Sequence, residues 1–93
     1  MKNRQLSLGA CFLTHYDYPG DNLNYGCTKK DTIEQCKMLC QDTEKCDHFV
    51  YVTDNYDGMY GSGLRRNCCL KRATTKALIP VQDVATGPRH CTL

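Results

Sequence analysis

Apolar positions run in short groups whose spacing changes along the chain, and each spacing predicts a different element. Between Asp31 and Gln41, Ile33, Cys36, Leu39 and Cys40 recur at three- and four-residue intervals, which puts them on one stripe of an α-helix. Asp31 suits the N-cap, and Glu34 stands where a capping-box carboxylate belongs, so the helix is expected to begin at Asp31 and end near Gln41. From Asp47 to Thr53 the pattern alternates in a β-branched and aromatic run, which predicts a strand with Phe49 and Tyr51 on one face and His48, Val50 and Val52 on the other. Cys11 to Tyr16 suits an edge or short strand, and Leu64 to Arg72 a further strand. Ala77 to Val81, interrupted by Pro80, suits an edge strand, and Val84 to Cys91 closes with a Gly-Pro turn. The polar stretches between these groups read as connections. Asp17 to Asn22 is a turn, with Leu23 and Tyr25 as anchors after it, and Gln41 to Lys45 is a linker. Asp54 to Gly63 is a glycine-rich loop, expected to be the most mobile element. Met1 to Gly9 reads as a flexible lead-in to one domain spanning 10–93.

Composition changes how this thin pattern can be stable. The chain has 93 residues and eight cysteines, about 9%, which marks a disulfide scaffold and an extracellular compartment. Side chains four apart on a helix stand about 5–6 Å apart at Cβ, beyond the roughly 3.5–4.5 Å of a disulfide, so Cys36 and Cys40 each need a different partner. Cys46 returns soon after the helix and makes Cys40 with Cys46 the natural local closure. Cys68 and Cys69 are adjacent in a strand and point to opposite faces, so only one of them can face the helix. No apolar run approaches the roughly 18 residues of a membrane span, and the segment after Met1 lacks the features of a signal peptide. A mature fragment of a secreted protein is therefore expected, with no direct membrane insertion. A net charge of only +2 argues against a nucleic-acid partner.

Candidate chemistry narrows to binding. Cys36, Cys40, Cys46 and His48 could supply four zinc ligands, but their intervals fit a structural zinc site poorly, so no metal or other cofactor is expected. There is no C-x-x-C, and the only serines, Ser7 and Ser62, sit in no nucleophile motif, so the chain reads as a non-enzyme. Arg65, Arg66, Lys71, Arg72 and Lys76 fall in a stretch with no acidic residue from Leu64 to Gln82, the charge pattern that attracts sulfated or sialylated glycans. Alternation tempers this, because neighbouring residues of a strand face opposite ways and the run can equally be a solvated edge. Tyr56, Met59 and Tyr60 offer a recognition surface, or else fold back onto the sheet.

Together these residues resemble the PAN/Apple family. The resemblance rests on Cys11, on Tyr18, Gly20, Asp21 and Leu23, on Cys36 with Leu39 and Cys40, and on Cys46, Phe49 and Tyr51 as C-x-x-F-x-Y. Cys68 with Leu70 and Lys71, and Thr86, Gly87, Pro88 and Cys91, complete it. It implies an α+β fold, a curved antiparallel sheet of about five strands with one helix packed on it. It also implies the bridges Cys36 with Cys68, Cys40 with Cys46, and Cys11 with Cys91. Cys27 and Cys69 depart from the family pattern and suggest a fourth bridge between them, with the exchange of Cys68 and Cys69 as the alternative. The extended cysteine set is similar to the repeats of apicomplexan microneme adhesins. That likeness implies a secreted adhesion module, held in a secretory organelle before release, that binds a host-cell surface protein or glycan beside neighbouring modules of a tandem array. A structural spacer, a heparin-like glycan binder using residues 65–76, and a small inhibitor scaffold are the alternatives.

Overall fold

A computed structural model of the chain describes residues 12–17, 22–58, 61–73 and 77–89. The elements run β1 (Leu13–Asp17), β2 (Asn22–Lys29), α1 (Ile33–Asp42), β3 (His48–Val52), β4 (Asn67–Lys71) and β5 (Ile79–Pro88), with a short 3-10 turn at Ser62–Leu64. The strands form one five-stranded antiparallel sheet in the order β1-β5-β3-β4-β2, and α1 packs on β3 and β4. This is the expected α+β arrangement of one helix on an antiparallel sheet.

The helix begins one residue later than its sequence suggests. Thr32 is the N-cap, its hydroxyl accepting from Gln35 N at 3.1 Å, while Gln35 Oε1 accepts from Asp31 N at 2.9 Å. Thr32 and Gln35 thus take the places expected of Asp31 and Glu34, except that the Gln35 side chain reaches the N–H one residue before the cap. The stripe holds: Cys36 and Cys40 are buried, and Ile33 and Leu39 pack against the same core. At the C-terminus the Thr43 hydroxyl donates to Leu39 O at 2.6 Å, and Lys45, at φ 75°, turns the chain toward β3.

Strand β3 divides its side chains as alternation requires. Phe49 and Tyr51 join Leu23, Leu70 and four cysteines beneath α1, while Val50 and Val52 join Val84 and Tyr56 on the far face. The Tyr51 hydroxyl donates to Lys30 O at 2.8 Å, which satisfies the polar tip of a buried ring.

Three bridges lie among the described residues: Cys36–Cys68 and Cys40–Cys46 join the partners the resemblance implied, and Cys27–Cys69 joins the two cysteines that depart from the family pattern. Cys68 meets the helix and Cys69 points away, so the exchanged alternative is not the one formed. Cys11 and Cys91 lie outside the described residues.

Three sequence assignments change. The stretch after Leu23 is strand β2 rather than an anchored connection. Strand β4 starts at Asn67, because residues before it form the 3-10 turn and Arg66 takes φ 67°. The runs at Ala77 and Val84 are parts of one strand, β5, which lies between β1 and β3 rather than at an edge. Pro80 is tolerated there because it pairs only with Tyr16 of β1, whereas β3 pairs with β5 from Val84 to Pro88. Between those stretches β5 bulges: Asp83 takes φ 65° and donates its N–H to His15 Nδ1 at 3.0 Å.

Candidate functional site

Because α1 packs mainly over β3 and β4, the helix-side face opens toward the edge strand β2 as a groove of about 410 Å3. Its floor is apolar, with buried Cys68 and Leu70 and half-buried Leu39. Its rim is polar, with Thr28 on β2 facing Asp42, Thr43 and Glu44 at the end of the helix. The bridge from Cys36 to Cys68 ties the helix to this floor, and the bridge from Cys40 to Cys46 holds the loop that carries Glu44. Apolar floor, hydroxyl and carboxylates together suit a ligand with one apolar face and several hydrogen-bonding groups.

A second, more open hollow of about 440 Å3 lies on the other side of the Lys45 turn, among Lys45, Cys46, Asp47, Ala73, Pro88 and Arg89. Arg89 anchors it, donating from Nη2 to Gln41 O at 3.1 Å and from its backbone N–H to Asp47 O at 2.9 Å. Asp47 Oδ2 lies 3.1 Å from Nδ1 of the buried His48. Lys71 ends β4 at this same edge, pairing in register with His48, and Arg72 follows it toward Ala73.

The basic run is therefore divided by its own strand. Arg65 and Arg66 precede β4, Lys71 finishes it and Arg72 follows, so Arg66 and Lys71 stand roughly 16 Å apart at about 3.3 Å per residue. Arg65 donates from Nε to Tyr56 O at 2.8 Å, and Arg66 places its guanidinium 3.3 Å from Asp31 and 3.4 Å from Asp54. These two arginines hold loops together, and Lys29 helps, donating to Gly63 O at 2.6 Å and Arg65 O at 2.7 Å. Lys76 lies outside the described residues.

Tyr56 does not present a recognition ring. It is 4% exposed and folds back among Val50, Val52 and Val84, the packing alternative of the two that its sequence allowed. The ring lies so close to Gly58 that a Cβ there would overlap it, which explains the glycine. Met59 and Tyr60 lie outside the described residues.

Sequence reasoning missed the groove because its lining comes from three separated stretches, and Gln41 to Lys45 looked only like a polar linker. It missed Lys45 and Arg89 because only the sheet brings them beside Lys71 and Arg72. The imagined zinc foursome is absent, since Cys36, Cys40 and Cys46 are all bonded in disulfides. Among the described residues no group of three or more His, Cys, Asp or Glu could hold a metal ion, and no helix is long and apolar enough to cross a membrane.

The family model of the PAN domain matches residues 16–71, more than half of the chain, and covers β2, α1, β3 and β4 with their three bridges. Strand β5 lies beyond the match yet is an inner strand of the sheet, between β1 and β3, so the folded unit is larger than the matched stretch. By fold, bridges and this match, the chain belongs to the PAN domain family, whose domains bind proteins or carbohydrates rather than catalyse reactions.

Proposed function

We propose that this chain is an extracellular adhesion module that recognises a protein or glycan on a host-cell surface, as one repeat of a tandem array. PAN membership supports binding, and the disulfide framework fits an oxidising compartment. The observation that carries the binding reading is the groove between the end of α1 and strands β2 and β4. Its size falls within the usual range of ligand sites, about 300–1,000 Å3, and its disulfide-held walls reduce the ordering cost of recognition.

The test is binding of multivalent, fluorescently labelled domain to host-cell surfaces and to a glycan array. A groove-filling Thr28→Arg variant is expected to bind at least tenfold less, with unchanged circular dichroism. Binding only by neighbouring modules, and none by this one, would make it a spacer.

A second reading, an anionic glycan, has one observation in its favour. Lys71 ends β4 and Arg72 follows it, next to Ala73 of the hollow that holds Lys45 and Arg89. Retention on heparin should then fall steeply with salt and weaken in a Lys45→Ala/Arg72→Ala variant, and salt-independent retention would exclude it.

A further inference from the structure

The third bridge differs from the other two in where it lies. Cys36, Cys40, Cys46 and Cys68 are 0 or 1% exposed, whereas Cys27 is exposed and Cys69 is half-buried. Cys27 and Cys69 stand directly opposite each other on β2 and β4, and β2 is an edge strand of the sheet among the described residues. Thiol–disulfide exchange requires a thiolate to reach a disulfide sulfur, and access is among the factors that set its rate. Among the described cysteines, Cys27 alone is exposed.

The local charge favours the same event. Neither β2 nor β4 contains an acidic residue, and Lys29 and Lys71 lie two residues along from Cys27 and Cys69 on the same face. A positive field of this kind draws in a thiolate and stabilises the thiolate that departs.

We propose that Cys27–Cys69 is a thiol-exchange site, attacked at Cys27 by an external protein dithiol. The attacking thiolate bonds to Cys27 Sγ as the bond to Cys69 Sγ breaks, and the electron pair leaves with Cys69 as a thiolate. The second thiol of the dithiol then displaces Cys27 from the mixed disulfide. Two electrons and two protons pass to this chain, leaving Cys27 and Cys69 as thiols and the partner as its disulfide. The other two bridges remain closed beneath the helix. Strand β2 pairs in register with β4 at Asn22 and from Cys27 to Lys29, and opening this bridge removes the one covalent link between them. Thr28, beside Cys27, walls the groove. If the groove is the binding site, as proposed above, its outer wall is therefore set by the redox state, a consequence that rests on that reading while the exchange itself does not.

The experiment treats the native 93-residue chain with graded dithiothreitol at pH 8, quenches with N-ethylmaleimide, and maps the labelled cysteines by mass spectrometry. Cys27 and Cys69 are expected to label at least tenfold faster than Cys36, Cys40, Cys46 and Cys68, while the far-ultraviolet circular dichroism stays native. Earlier opening of either buried bridge, or opening of all three together with loss of the fold, overturns the proposal. Brief oxidised-glutathione-free treatment with reduced glutathione identifies the struck sulfur: an adduct on Cys27 supports the proposal, and one predominantly on Cys69 overturns the direction of attack. A Cys27→Ser/Cys69→Ser variant should leave the four buried cysteines unlabelled under the same conditions. Should that variant fail to fold, the wild-type labelling order still decides the matter.

Discussion

Beneath α1, Leu23, Phe49, Tyr51 and Leu70 pack around two disulfides whose cysteines are almost completely buried. On the opposite face Val50, Val52, Val84 and Tyr56 form a smaller cluster, with half-buried Cys69 at its margin. One face is covered by a helix that is itself covalently tied down. The other is covered by a tyrosine folded back from a loop. The contrast shows that a small domain can concentrate its covalent links and its apolar packing in one layer and leave the other layer to local closure.

The largest test of that contrast compares the bridges. Loop-closure entropy alone assigns about 3.7 kcal/mol to Cys36–Cys68 and about 3.9 kcal/mol to Cys27–Cys69, from sequence separations of 32 and 42. The two entropic contributions nearly cancel, so a difference between the bridges reports packing. A Cys36→Ala/Cys68→Ala variant should lose more stability in urea unfolding than Cys27→Ser/Cys69→Ser, by about 1–2 kcal/mol for the cavity left beneath the helix. Equal losses would mean that the two faces contribute alike.

A smaller effect sharpens the picture of the far face. Gly58→Ala should displace the Tyr56 ring and cost about 1–3 kcal/mol, with a changed near-ultraviolet signal from the tyrosine. A neutral outcome would mean that the ring is not held against the sheet.

The smallest effect probes Tyr51 on the helix side. Burial raises its pKa above 10.0, with a further push from the charge of Asp54. A raised folded-state pKa means that the unfolded chain releases the proton first. The contribution of Tyr51 is therefore complete below about pH 10 and declines as pH rises through its folded pKa. Tyr51→Phe should cost about 1 kcal/mol at neutral pH, through the lost bond to Lys30 O, and should lose stability less steeply above pH 10 than the wild type. Identical slopes would remove Tyr51 as the source.

What could be read beforehand follows from the range of the forces involved. The helical stripe and the division of β3 were legible because periodicity is local, and burial of one face imposes it directly on residues such as Cys36 and Phe49. The cap shifted from Asp31 to Thr32 because both residues are good caps by type, and the local pattern does not separate them. Strand β2 was missed because an edge strand with polar residues and a glycine lacks a clean alternation. The candidate site was less legible still. Arg65 and Arg66 look like a patch in sequence, but their partners Tyr56, Asp31 and Asp54 come from loops that only the folded sheet brings near. The groove likewise joins Thr28, Leu39 and Leu70 across three elements.

The place of β5 bears on the order in which the molecule can assemble. It is the last described strand in sequence and lies between β1 and β3 in space, while the six bridged cysteines among the described residues all precede it. During synthesis into an oxidising compartment, β2, α1, β3 and β4 can therefore pair and oxidise before β5 emerges. Strand β3 then carries an open hydrogen-bonding edge, a liability for pairing with another chain until β5 arrives. The bridges fix the register of that early half, so the final strand enters a slot whose inner wall is already rigid, and closing the sheet joins β1 to the rest.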